Sequence, residues 1–379
     1  MPGLELDRRT LRLIVIAFLI LASLTIHRLF FADAPESSEL LILSGHTMGT
    51  TYEIRVAGDG LDETLRKRIE DETSKRLLQI DQWMSDWNPD SEIARFNAQD
   101  STDDFPVSIE TAEVVAYAIQ LNTWSHGAFD IAVGPLVARW GFGSHARIDG
   151  PPDDAEIAQL RKRLGPGMLR VGSEGSVLPP GTDASSDDGS AFIAKNDPKV
   201  EIDLSAIAKG YGVDHVANGL ELLGRHDYLV EIGGEVCAAG DRPKGGAWRV
   251  AIERPQTEGR SIQSVIELRD KGMATSGDYR IFYVEDGKRV SHTIDPRTGR
   301  PVEGGPTAVT VLADTATEAD AWATTLMVLG EKDGLALAEE RGIAALVLIR
   351  NEDGTISEHH NRFFPDAISP SSEDEAQAH

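Results

Sequence analysis

The sequence predicts an α+β fold, with mixed and antiparallel sheets flanked by helices. Two observations carry this. Strand-like runs are joined by tight turns at Asp286-Gly287 and Asp353-Gly354, and such turns join only antiparallel strands. The helical stretches fall irregularly among the strands, whereas a doubly wound parallel sheet needs them to alternate. Neither a GxGxxG nor a P-loop pattern occurs, so the standard dinucleotide and phosphate-loop sites have no support.

Taken in order, the chain opens with Arg8, Arg9 and Arg12 ahead of fourteen uncharged residues, Leu13 to Ile26. That run is short of the ~20 residues that span a bilayer and fits a signal peptide or uncleaved anchor over 1–34. Ala32 and Ala34 offer an A-x-A cleavage pattern. The arginines ahead of the run place the remainder outside the cytoplasm. Residues 35–40 read as short and polar, and 35–43 is expected to be a linker. TYEIRV (51–56) alternates like a strand, and Leu65, Ile69, Leu77 and Ile80 space a helix over 61–80. Ser108 opens a second helix to about Trp124, with Glu110 and Thr111 in its first turn. A third covers 154–164.

Residues 173–190 have the composition of an acidic, flexible insertion. Ser205 is placed to cap a helix that runs to about Leu223. The second half is β-rich: YLVEIGGEVCAAG, WRVAIERP, SIQSVIEL, the hairpin RIFYVEDGKRVSHTID, and AVTVLAD. The helix TEADAWATTLMVLG and the hairpin AALVLIRNEDGTISE follow, and 365–379 reads as an acidic, disordered tail.

The 379 residues are 41% hydrophobic, ample for a core, and carry a formal net charge of −25. A surface of that sign repels nucleic acid and anionic lipid. A phosphate-bearing ligand would need a cation or helix N-termini to offset the field. The single cysteine, Cys237, makes no disulfide within the chain and leaves the compartment open.

Several stretches could carry chemistry. In TEADAWATT, Asp320 and Thr324 lie four apart on one helical face and are hard oxygen ligands for Mg²⁺ or Ca²⁺. The helix dipole alone also favours an acidic residue in a first turn. Gly210 and Gly212 each cost a helix about 1 kcal/mol relative to Ala, so each marks a close approach, to a ligand or to another element. Met48, Trp87 and Phe129 with Asp130 fall in loops, where they suggest stacking on a flat ligand or a satellite of the core. In SHTIDPRTGRP, Pro296 and Gly299 are explained by a turn, but His292 is not.

GHTMGTTYEI, MSDWNPDSEIARFN, GAFDIAVGPL, DLSAIAKGYGVD, YLVEIGGEV, TSGDYRIFY, SHTIDPRTGRP and VTVLADTATEADAWATTLMVLG occur in this order. Together they resemble the FAD:protein FMN transferases, the ApbE family, over roughly 44–350. The resemblance implies the ApbE-like fold and a Mg²⁺-dependent enzyme that works outside the cytoplasm, in the periplasm. Such an enzyme splits FAD at its pyrophosphate, releases AMP and attaches FMN to a Thr or Ser of a target flavoprotein. Acceptors are membrane electron-transfer subunits. By motif, Met48, Trp87, Ala128, Phe129, Asp130 and Asp203 correspond to FAD contacts, Lys209 to a substrate contact, and Ile294 to a position beside the flavin nucleotide. The metal corresponds to the Ala206 carbonyl, the Asp320 carboxylate and the Thr324 hydroxyl. His292 falls in the catalytic neighbourhood. His292 and Asp320 are the candidate bases for the acceptor hydroxyl, and the ordinary pKa of histidine favours the former. The chain departs from family patterns in lacking an N-terminal cysteine for a lipid anchor, and in Ala323, where some members have Asp. Two alternatives share the sequence: an FAD pyrophosphatase using water, and a non-catalytic periplasmic flavin carrier, which would need a broken metal site.

Overall fold

Met48 and Gly49 both hold left-handed backbone, at φ 46° and 71°, which makes a two-residue hairpin turn matched to the twist of the strands it joins. Those strands are β1 (Glu39–Thr47) and β2 (Thr50–Gly58), in register from Glu39 opposite Gly58 to Thr47 opposite Thr50. The computed structural model describes residues 39–143, 150–173, 176–177, 191–256, 261–279, 281–285, 288–368 and 370. The N-terminal segment 1–34, most of the 173–190 insertion, the Asp286-Gly287 turn and residues 371–379 of the tail lie outside these.

Asp62 opens α1 (Glu63–Met84) by accepting the Leu65 N–H. Ser91 does the same for α2 (Glu92–Ala98), which precedes β3 (Phe105–Val107). Ser108 caps α3 (Ile109–Trp124), and the Glu92 carboxylate in turn accepts from the Ser108 N–H and hydroxyl. Two short helices follow, α4 (Gly134–Arg139) and α5 (Asp154–Arg161). Next come β4 (Leu169–Ser173), β5 (Ser176–Val177) and β6 (Ala191–Lys195), which with β3 form a small antiparallel sheet ordered β3-β6-β4-β5.

Beyond α6 (Ala208–Leu222), β7 (Tyr228–Ile232) and β8 (Glu235–Ala239) form a hairpin over Gly233-Gly234. A second hairpin is β9 (Trp248–Glu253) with β10 (Ile262–Leu268), followed by β11 (Lys271–Gly277). Two small ribbons, β12 (Phe282–Glu285) with β13 (Lys288–Ser291) and β14 (Ile294–Asp295) with β15 (Arg300–Pro301), lead to β16 (Ala308–Ala313). The chain closes with α7 (Ala316–Arg341), β17 (Ala344–Arg350) and β18 (Ile356–His360).

The main sheet runs β1-β2-β7-β8-β11-β16-β17-β18, with every neighbouring pair antiparallel. This agrees with the α+β expectation. Helices α1, α6 and α7 cover one face, and the β9–β10 hairpin covers the other through Trp248, Val250, Ile252 and Ile266. Covered on both sides, β16 reads as an almost unbroken apolar run, as a central strand must.

Three expectations are corrected. Residues 39–43 are not linker but the first half of β1, where Leu41 and Leu43 point into the core and Leu40 and Ile42 do not. Ser205 does not cap α6. It lies in the preceding turn, where its N–H donates to Asp203 Oδ1, and the helix starts after Ile207 without a side-chain cap. The first residues of the tail are docked, since the Ile368 N–H donates to the Val265 carbonyl at 2.8 Å.

Candidate active site

The site begins where α6 crosses α7. A Cβ on Gly210 would lie 2.3 Å from the Ala316 carbonyl oxygen, so only glycine lets the helices touch there. One on Gly212 would lie 3.0 Å from Met48 Cε, in the β1–β2 turn. Both glycines therefore serve close packing. Asp214 holds the crossing by accepting the Ala316 and Thr317 N–H groups, at 2.9 and 2.8 Å, at the start of α7. The Gly210 N–H donates at 2.9 Å to Asp320 Oδ2 rather than closing a helical turn onto the Ala206 carbonyl.

Around Asp320 the structure gathers a buried polar group. Lys209 Nζ lies 2.8 Å from Glu235 Oε1 and 3.8 Å from Asp320 Oδ2. Asp320 and Glu235 are each only 3% exposed. Burial alone would lower the Lys209 pKa, but the Asp320 and Glu235 carboxylates outweigh it and hold the ammonium above its ordinary value. The Glu235 carboxyl is pushed up to about 7 by burial, with Lys209 opposing and Asp320 adding. One helical turn along from Asp320, the Thr324 hydroxyl lies 3.0 Å from the Ser276 hydroxyl of β11.

These groups fit a hard divalent cation. Ala206, Asp320 and Thr324 offer a carbonyl, a carboxylate and a hydroxyl. One ammonium faces two carboxyl groups, which leaves a buried excess of negative charge for a cation to balance. Glu235 Oε2 is moreover buried without a hydrogen-bond partner. Among the described residues no group of three or more His, Cys, Asp or Glu is set to hold a metal.

A separate pocket is lined by Asp86, Asn97, Gly134, Phe142, Glu201 and Asp203. Asp203 is fixed by its N–H, which donates at 2.7 Å to the Ile131 carbonyl. Burial raises its carboxyl above the ordinary value, against the Ser205 hydrogen bonds. Phe142 carries the pocket toward His292, whose ring meets it edge-on at 6.3 Å between centroids. His292 Nδ1 lies 3.0 Å from the Ile281 carbonyl, so Nδ1 carries the proton and Nε2 is left as the basic nitrogen. Burial lowers the His292 pKa, the Ile281 bond opposes, and the Lys209 and Arg289 charges add to the lowering.

The remaining expected residues divide. Met48 touches α6 and lies one turn from the Lys209 group, as above. Trp87 is 75% exposed and free to meet a ligand, but no contact ties it to Asp320 or His292. Ile294 is buried with Leu136, Trp140 and Phe142, beneath the pocket wall. Ala128 and Phe129 are buried, Phe129 within the largest core cluster, so its ring is not offered for stacking and only backbone there can face a ligand. Asp130 is spent on structure: Oδ1 accepts the Ala132 N–H at 2.8 Å, and Oδ2 accepts Asn122 Nδ2 and the Gly165 N–H at 3.1 and 2.6 Å. The stretch still borders the site, because a Cβ on Gly127 would lie 3.7 Å from Arg297 in the SHTIDPRTGRP turn.

Reading the sequence missed Glu235, Ser276 and Phe142. Glu235 and Ser276 stand in stretches quoted for the resemblance, YLVEIGGEV and TSGDYRIFY, but nothing local marks either as functional.

Comparison with known proteins decides the family. The ApbE family model matches residues 48–347. The chain belongs to the ApbE family. The FAD:protein FMN transferase of Vibrio cholerae is 42% identical over 327 residues, covering 86% of this chain and 92% of that protein. Its counterpart in Haemophilus influenzae is 38% identical over 338 residues, covering 88% and 94%. Among solved structures, the flavin transferase ApbE from Vibrio cholerae superposes with a TM-score of 0.74 at 41% identity, covering 86% of this chain and 98% of that one. The apo flavinyl transferase ApbE of Pseudomonas stutzeri gives 0.73 at 36% identity, covering 86% and 96%. The ApbE fold is thus shared along nearly the whole of these proteins.

Proposed function

We propose that this protein is a Mg²⁺-dependent FAD:protein FMN transferase acting on membrane electron-transfer flavoproteins outside the cytoplasm. Flavin transfer follows from membership of the ApbE family. The metal, the released AMP and the acceptor class go further. The observation that carries the reading is the half-exposed Lys209 paired with the buried Glu235 and Asp320 carboxyls, with Thr324 one turn from Asp320 and His292, protonated at Nδ1, within reach of the Lys209 charge.

A cation held by Ala206, Asp320 and Thr324 would offset the pyrophosphate charge and stabilise the departing AMP. Lys209 binds a phosphate oxygen and orients the phosphorus. His292 Nε2 accepts the proton of the acceptor Thr or Ser hydroxyl as its oxygen attacks the FMN phosphorus. The bond to the AMP phosphate breaks, AMP leaves with the electron pair, and the proton passes from His292 to solvent. Asp320 is the weaker candidate base, because Oδ2 already takes the Gly210 N–H beside Lys209.

The test incubates the protein with FAD, Mg²⁺ and a candidate acceptor domain, read by mass spectrometry. An acceptor heavier by one FMN, with AMP in equal amount, is expected. Free FMN and AMP without an adduct would replace transferase by pyrophosphatase, and bound, uncut FAD would make the protein a carrier. Export rests on the N-terminal run alone. An enzyme reporter active only outside the cytoplasm, fused at the C-terminus and found inactive, would remove it.

A further inference from the structure

Glu235 is the first residue of β8, directly after the Gly233-Gly234 turn. Gly233 has φ 64°, and a Cβ there would lie 2.9 Å from Thr50 Cγ2 and 3.4 Å from Lys209 Cδ. The hairpin therefore wraps the Lys209 stem on one side while Glu235 takes its head at 2.8 Å. The Lys209 side chain keeps 31% of its surface open, so the ammonium is held yet reachable. An ammonium has three donors, and only Glu235 lies within hydrogen-bond distance, Asp320 being at 3.8 Å. The second Glu235 oxygen is buried without a partner, so no other donor competes with Lys209 for this carboxylate.

We propose that Glu235 is a positioning residue, which fixes the Lys209 ammonium so that its remaining donors face the pyrophosphate of the bound dinucleotide. The inference rests on the reading of this site as the place where FAD is cleaved. A flexible lysine loses rotamer freedom when it binds a phosphate, and a carboxylate that orders it beforehand removes that cost from binding.

The test is a double-mutant cycle on FAD affinity, measured by flavin fluorescence at fixed Mg²⁺ for wild type, E235Q, K209M and E235Q/K209M. E235Q is expected to weaken FAD by about tenfold or more, and the double variant to bind no worse than K209M alone, because Glu235 acts through Lys209. Losses that multiply would overturn the proposal, as would E235Q binding within about twofold of wild type. Should E235Q fail to fold, E235D draws the carboxylate back by one methylene and enters the same comparison. Because the readout is binding, the cycle decides on Glu235 separately from whether FMN reaches a protein acceptor.

Discussion

A histidine that gives its Nδ1 proton to a carbonyl has one nitrogen left for chemistry, and in His292 that nitrogen is Nε2. Burial and nearby cations lower its pKa, so the ring stays neutral, and able to take a proton, at pH values where an ordinary imidazole is half charged. The base is lost only as pH falls through that lowered value. Titrating the ring by NMR should accordingly give a midpoint below the unperturbed ~6.5; a midpoint above it would mean that a carboxylate, not burial, governs the site. His292→Ala should cut turnover by about 10²–10⁴-fold, the range for a positioned general base, with FAD affinity little changed. An equal loss in both would make it a binding residue. Asp320→Asn keeps an oxygen for the Gly210 N–H but removes the charge, so it should abolish Mg²⁺-dependent turnover and leave denaturant unfolding close to wild type. Unchanged turnover would take Asp320 out of the metal site.

Elements succeed or fail in the sequence according to how local their cause is. Ser108 capping α3 is visible because a cap acts within three residues, and the Asp353-Gly354 turn because it acts within four. The first strand was hidden by its own apolarity: LLIL has no polar alternation, although Leu41 and Leu43 alone face inward. Gly210 marks a limit of another kind. Its sequence signal, a glycine inside a helix, was plain, but the cause, the Ala316 carbonyl, lies 106 positions on. The same holds within the site. Asp320 and Thr324 share a helix face and could be paired from spacing, whereas Glu235 reaches Lys209 only through a hairpin turn. Gly210→Ala follows from this geometry. It should destabilise the protein by roughly 1–3 kcal/mol, the usual cost of overpacking, and should loosen the Asp320 contact as well. Denaturant unfolding with unchanged midpoint would show that the crossing can relax.

At the scale of the molecule, the chief oddity is charge. A protein of net −25 must bind a substrate whose pyrophosphate carries two negative charges of its own. Lys209 supplies one compensating charge, but it is already shared between Glu235 and Asp320. The rest must come from the cation that the oxygen ligands would hold, or from screening by the medium. The two sources can be told apart, because salt acts over a Debye length of about 30 Å at 0.01 M and about 8 Å at 0.15 M, whereas a bound cation acts at contact. Without Mg²⁺, FAD affinity should therefore improve as salt rises across that range, since screening removes long-range repulsion from the acidic surface. With saturating Mg²⁺ the substrate approaches nearly neutral, and the same salt series should leave affinity almost flat. Isothermal titration at several salt concentrations, with and without Mg²⁺, measures both slopes. If affinity instead fell with salt in the absence of Mg²⁺, local cations such as Lys209 and Arg289 would dominate the approach, and the overall charge would have no bearing on how FAD enters.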